Sequence, residues 1–298
     1  MSDFAADSSP TLALQATRSR SRNREFWLGL QRSKGALIGL TILGLLILAA
    51  LFAPVITSYD PIAIDPPKRL QPPSGEHWLG TDHFGRDIFT RVVYGARISL
   101  PVGLIAVTIA AVSGALFGLI AGYYGKAVDA VVMRLMDVML AFPGIMLALL
   151  VVAILGPSLR NVMIAVGIGS IPRFTRLIRG SVLSARENVY VEAARVIGAP
   201  DAVILYRHIL PNVISPVIVL ATLSVGTAIL SAAGLSFLGL GAQPPDPEWG
   251  AMLADGRQFL RSQWWVSTMP GIAIAITVLS VNLAGDGLRD ILDPRMRN

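Results

Sequence analysis

Residues Glu192 to Pro211 read EAARVIGAPDAVILYRHILP. The stretch is polar within an otherwise apolar second half and lies between two segments of membrane length. Gly198 suits a helix end because it takes φ > 0 without a Cβ penalty, and Pro200 suits the first turn of the next helix because it has no N–H to lose there. The spacing predicts a helix–turn–helix at a membrane surface. Glu192, Ala193 and Ala194 open it, Gly198 turns it, and Leu210-Pro211 closes it.

The composition around this stretch is that of a membrane protein. Of 298 residues, 53% are hydrophobic and 15% charged, against about 25% charged in a soluble domain. There is no cysteine, which excludes disulfides, thiolate metal sites and thiol nucleophiles. The three histidines follow no metal-ligand spacing. The net charge of +6 falls beside apolar segments, so it reads as bilayer orientation and not as a nucleic-acid footprint.

Six membrane helices are predicted. Residues 1–34 are a polar, Arg-rich tail, longer than a signal-peptide leader, and are expected to stay uncleaved in the cytoplasm. Gly35 to Ile56 is the first span, at about 33 Å, with Gly35 and Gly39 as a candidate close-packing pair. Residues 57–99 form a Pro-rich outer loop. It ends in GTDHFGRDIFTRVVYGARISL (Gly80 to Leu100), where Asp87 and Arg91 at i,i+4 favour an interfacial helix. Leu100 to Gly122 follows, with Gly114, Gly118 and Gly122 four apart on one face. Val131 to Leu155 carries Arg134 and Asp137, spaced to pair, and Pro143, expected to kink it. Val162 to Ile178 is short of apolar residues. It is read as a span because otherwise Arg173, Arg176 and the bases after them would lie outside. Val213 to Leu240 is dotted with hydroxyls, Ser224, Thr227 and Ser231 among them, that either bond their own backbone or line a wet path. Val266 to Leu283 is the sixth.

Seventeen of the 25 basic residues then lie on the side of the two tails and the Glu192 loop, which places both termini and that loop in the cytoplasm. A phosphate loop, an HExxH helix and a GxSxG elbow are all missing. No histidine in a span stands ready to activate a hydroxyl, so the sequence reads as a non-enzyme without a bound cofactor.

The Glu192 stretch resembles the EAA loop by which membrane subunits of bacterial ABC importers dock onto their ATPases. The pattern is Glu-Ala-Ala, three residues, Gly, nine residues, an apolar residue, one more residue, then Leu-Pro. His208 stands where the family has the apolar residue. The likeness extends in family order through GTDxxGRD, MRLMDVMLAFPG (Met133 to Gly144), SFLGLGAQPPDPEWG (Ser236 to Gly250) and GDGLRDxLDP (Gly285 to Pro294). The chain thus resembles the second permease subunit of dipeptide, oligopeptide, nickel or glutathione importers.

The resemblance implies an all-α type I ABC importer permease fold. A first helix and outer loop (35–95) would precede a transmembrane domain (96–286) and a short cytoplasmic tail (287–298). It implies a coupling set of Glu192, Ala193, Ala194, Val196, Ile197, Gly198, His208, Leu210 and Pro211. It also implies an outer motif of Gly80, Thr81, Asp82, Gly85, Arg86 and Asp87. Partners would be a homologous permease, two cytoplasmic ATP-binding subunits that bind the ATP, and a periplasmic binding protein, all at the bacterial inner membrane. Asp137, Pro143, Ser224, Thr227 and Ser231 are the candidate pathway residues. Peptide is the expected cargo, with nickel chelates, glutathione or another small solute as alternatives. A channel or secondary transporter is the reading from a different class.

Overall fold

The computed structural model describes residues 33–292; the basic N-terminal tail and the last residues of the C-terminal tail lie outside them. Among the described residues the secondary structure is helical, apart from one isolated bridge between Thr81 and Asp87. Helix α1 (Lys34–Leu51) is capped by Ser33, whose Oγ accepts from the Ala36 amide. The first predicted span does not run unbroken to Ile56. It stops at Phe52, ahead of the short α2 (Ala53–Ile56), which has a proline in its first turn.

The predicted interfacial helix and second span are one rod, α3 (Ile88–Tyr124, 37 residues). At about 55 Å it exceeds the roughly 30 Å of bilayer hydrocarbon, so part of it stands beyond the membrane. Pro101 lies inside it without ending it. The third predicted span is corrected more sharply. Instead of a kinked helix there are two, α4 (Lys126–Leu140) and α5 (Gly144–Leu155), at 92° to each other. Pro143 has extended backbone and stands as the N-cap of α5. The residue before a proline avoids the helical region, so the chain breaks at Phe142 instead of bending through it.

Helix α6 (Leu159–Ala185, 27 residues) is about 40 Å long. Four helices, α1, α3, the stretch from Asp201 to Phe237 and α11, are long and apolar enough to cross a membrane, or five with the bent α4–α5 pair as one. Six spans were expected, and α6 is the difference. It has the length, but its arginines lower its apolarity. Its buried stripe of Ile171, Phe174, Ile178 and Val182 is covered by protein, so it is not obliged to be apolar all round.

After α6 come α7 (Val189–Val196), the single turn α8 (Asp201–Val203), a π-helical segment (Ile204–Ile209) and α9 (Leu210–Phe237). Then follow α10 (Trp249–Gly256) and α11 (Trp265–Leu292). The core is built where α3 lies along α6, flanked by α5 and α9, while α11 closes against α1, α9 and α10. The glycine face of α3 makes that approach possible. A Cβ on Gly114 would lie 2.4 Å from Phe174 Cβ, and one on Gly118 2.8 Å from both Ile178 Cβ and the Thr175 carbonyl. A Cβ on Gly39 would lie 2.6 Å from the Ser280 carbonyl on α11, so Gly39 is a contact point of α1.

Candidate coupling and translocation site

The Glu192 stretch forms a rooted knob. Helix α7 ends in two reverse hydrogen bonds, Ala199 N to Ala194 O and Gly198 N to Arg195 O, each 3.0 Å. Gly198 sits at φ +78°. This is the Schellman arrangement that a glycine at the first residue past the cap permits. Pro200 then caps α8. The expected closure at Leu210-Pro211 does not occur, because the helix continues from Asp201 to Phe237 without a stop. Pro211 has no N–H and its ring crowds the carbonyl four residues back. The chain widens just before it, the Leu210 amide bonding the Leu205 carbonyl five residues back in a π turn.

The knob has an inner and an outer face. Val191 and Ala194 are buried in the same core as Phe174, Ile178 and Ile209. Val196 and Ile197 stand 81% and 82% exposed at the tip, with Val189 and Tyr206 also exposed. Ala193 faces outward and Ala194 inward, so only the first of the two alanines thins the outer surface. Glu192 is exposed in the first turn of α7, where its charge suits the helix dipole. His208 is half-buried on the π segment, and its carbonyl accepts from Asn212 Nδ2 at 2.7 Å.

The knob is tied to α3 through side chains that periodicity did not single out. Tyr123 donates its hydroxyl to Asp201 at 2.6 Å, the Arg195 guanidinium lies 5.2 Å from the Tyr123 ring centre, and Arg186 donates to the Gly122 carbonyl at 3.0 Å. The partners are up to 78 residues apart, which is why no local pattern revealed them.

At the other end of the bundle the GTDHFGRD phrase is a buried staple. Thr81 donates to the Lys68 carbonyl at 2.5 Å and Asp82 pairs with Arg86 at 2.6 Å. Gly80 and Gly85 take φ +78° and +80°; a Cβ on Gly85 would overlap the Asp65 carbonyl, so its place is fixed by close backbone approach as well as by φ. The expected pairing of Asp87 with Arg91 is not formed. Asp87 caps α3, accepting from the Thr90 amide at 2.7 Å, and holds the His77 ring at 2.9 Å. Arg91 donates to the Pro61 carbonyl at 2.7 Å and to Pro245 at 3.3 Å. The carboxylate within ion-pair reach of Arg91 is Asp82, at 3.7 Å, which also holds Arg86. Glu248 caps α10 through the Gly250 and Ala251 amides and meets Ser99 of α3; its burial pushes its carboxyl above the ordinary range. Burial likewise pulls His83 below the ordinary histidine value, against Phe84 and Phe259.

Between these ends, a cavity of about 280 Å³ opens at the α4–α5 break. Thr227 and Ser231 line it, along with Ser170 and Arg173. Ser224 does not; it is buried elsewhere on α9, and its carbonyl accepts from Thr227 at 2.8 Å. Asp137 does not pair with Arg134. It pairs across helices with Arg176 at 2.6 Å, both half-exposed, and one step along, Asp129 pairs with Arg179. The i,i+3 partner loses because Arg176 faces Asp137 from α6. Among the described residues no three His, Asp or Glu side chains converge as a metal site needs.

Comparison with known proteins agrees with this geometry. The profile of the family "Binding-protein-dependent transport system inner membrane component" matches residues 114–298, and that of the "N-terminal TM domain of oligopeptide transport permease C" matches residues 21–73. The dipeptide transport system permease protein DppC of Alkalihalophilus pseudofirmus is 54% identical over 92% of this chain and 90% of its own. The di/tripeptide permease DppC of Pseudomonas aeruginosa is 46% identical over 92% and 93%. A glutathione transport permease GsiD of Escherichia coli is 50% identical over 92% and 90%. Among solved structures, a chain of the inward facing MetNI methionine ABC transporter superposes with a TM-score of 0.51 at 19% identity, over 67% of this chain and 96% of that one. It shows the fold.

Proposed function

Because this chain belongs to the family of binding-protein-dependent transport system inner membrane components, we propose that it is the membrane-spanning subunit through which an ATP-driven importer moves peptides into the cytoplasm. The observation that carries the coupling is the knob at α7. Its tip offers Val196 and Ile197 to a partner while Val191 and Ala194 root it in the α3–α6–α9 core. An apolar tip exposed to water is costly unless a partner covers it. A rooted tip transmits whatever movement the partner makes, because packed cores shift between discrete arrangements instead of deforming continuously.

On this reading two ATPases bind and hydrolyse ATP and grip the knobs of this chain and of a homologous permease. A binding protein delivers cargo at the end that carries the GTDHFGRD staple. Both termini and the knob lie on the cytoplasmic side, as the basic residues indicate. Peptide is the favoured cargo because the dipeptide and di/tripeptide permeases of two organisms share about half of the sequence. The test is uptake of labelled di- and tripeptides into proteoliposomes holding the complete complex. Uptake that needs ATP and the binding protein is expected; peptide movement without ATP would overturn the importer reading in favour of a channel.

A further inference from the structure

We propose that Arg173 receives a carboxylate of the cargo on its way through the membrane. The inference deepens the importer reading and rests on it for the cargo being a peptide. Arg173 lies one residue past the middle of α6, about 20 Å from Leu159, and its side chain is exposed. A cation inside a membrane span costs up to about 2.5–3.5 kcal/mol on insertion scales and normally marks an ion or substrate path.

The neighbours of Arg173 make the point sharper. Arginines recur on α6 at 173, 176 and 179, three apart and therefore near one face. The facing helix α4 supplies Asp129 to Arg179 and Asp137 to Arg176. One step further α4 ends at Leu140, where the chain breaks. Arg173 has no ion-pair or hydrogen-bond partner among the described residues. Two of the three arginines are thus answered by acids of α4, and the third, Arg173, lines the cavity. Ser170, Thr227 and Ser231 line the same cavity. A guanidinium suits the oxygens of a carboxylate, which Arg binds in a planar fork; Ser170 and Thr227 donate to carbonyls of their own helices, so Ser231 is the lining hydroxyl with its proton to offer. A peptide carries that group at its C-terminus.

The natural absence of cysteine allows a direct test of the field at this cavity. In the complete complex, Ser231→Cys is labelled with a sulfonate-bearing and with an ammonium-bearing methanethiosulfonate, each rate taken relative to a free thiol. The anionic reagent is expected to be preferred, and Arg173→Ala to lower that preference about 5- to 10-fold. In a second arm, wild type, Arg173→Ala and Arg173→Lys import a dipeptide with a free C-terminus and its C-terminal amide. Both are given at concentrations that saturate the binding protein. Wild type and Arg173→Lys are expected to favour the free acid by about 3- to 10-fold and Arg173→Ala to import both alike. An unchanged labelling preference in Arg173→Ala, or free-acid import by that variant at the wild-type rate, overturns the proposal. Arg173-dependent labelling in a wild-type complex that imports neither peptide overturns the peptide reading and leaves the anion site for another acidic cargo.

Discussion

Replacing Gly198 by valine separates the turn of the knob from its packing. At φ +78° a residue with a Cβ pays about 1–2 kcal/mol, and a β-branched one pays more because its side chain is stiff as well. Nothing lies within 4 Å of a Cβ built at this position, so no clash adds to that figure and the bundle has no reason to misfold. The cost falls on one local equilibrium, between α7 closed by its two reverse bonds and α7 frayed. A shift of 1–2 kcal/mol changes that ratio about 5- to 30-fold. Gly198→Val is therefore expected to assemble normally with its partners yet move less peptide per ATP hydrolysed. Gly198→Asn, whose side chain tolerates the left-handed region, is expected to fall between. The assay is uptake and phosphate release measured together in proteoliposomes. Wild-type stoichiometry in Gly198→Val, at wild-type assembly, would refute the claim that this turn sets the coupling geometry.

Three further outcomes follow from the packing and the charges. Gly118→Val places a branched side chain where even a Cβ is 2.8 Å from Ile178; a loss of about 1–3 kcal/mol, seen as a lower unfolding temperature in detergent, is expected, with a far smaller effect from Gly180→Ala, whose surroundings are open. Tyr123→Phe removes the bond to Asp201 and is expected to cost about 0.5–1.5 kcal/mol while lowering transport per ATP, since it loosens α3 from the knob. Burial holds His83 below the usual histidine value of 6.5. The unfolded chain therefore takes up the proton first on acidification, and stability falls as pH drops through 6.5 and levels off below the folded-state value. Thermal unfolding between pH 7.5 and pH 5 checks this, and His83→Gln should reduce the slope.

Local signals in the sequence were read well where one residue type had one use. The φ > 0 of Gly198 and the bare face of Gly114, Gly118 and Gly122 were legible because glycine takes both without a Cβ penalty. Asp87, Arg91, Arg134 and Asp137 were misjudged for a common reason. Charges three or four apart on one helix suggest each other, but here Asp87, Arg91 and Asp137 each take a partner from another element, which leaves Arg134 without Asp137. The break at Pro143 and the passage through Pro211 were misread because a proline both removes a bond and crowds its neighbours, and the chain answers by breaking at the first and widening into a π turn at the second. The sixth expected span, at α6, is not apolar enough to stand among the membrane-crossing helices, and its buried stripe is covered by protein, which hydropathy does not record. Tyr123 with Asp201, and the unanswered Arg173, became visible only once α3, α4 and α6 were in place.

The most direct measurement is a contact at the tip of the knob. With no cysteine in the natural chain, Ile197→Cys carries a unique thiol, which a short bifunctional reagent can join to whatever covers it in native membranes. The account predicts a cross-link to an ATP-hydrolysing subunit, changed in yield by ATP, and none from a thiol placed at Glu76 in the loop at the opposite end. A tip that joins no ATPase, in a chain that purifies alone or only with itself, would contradict it.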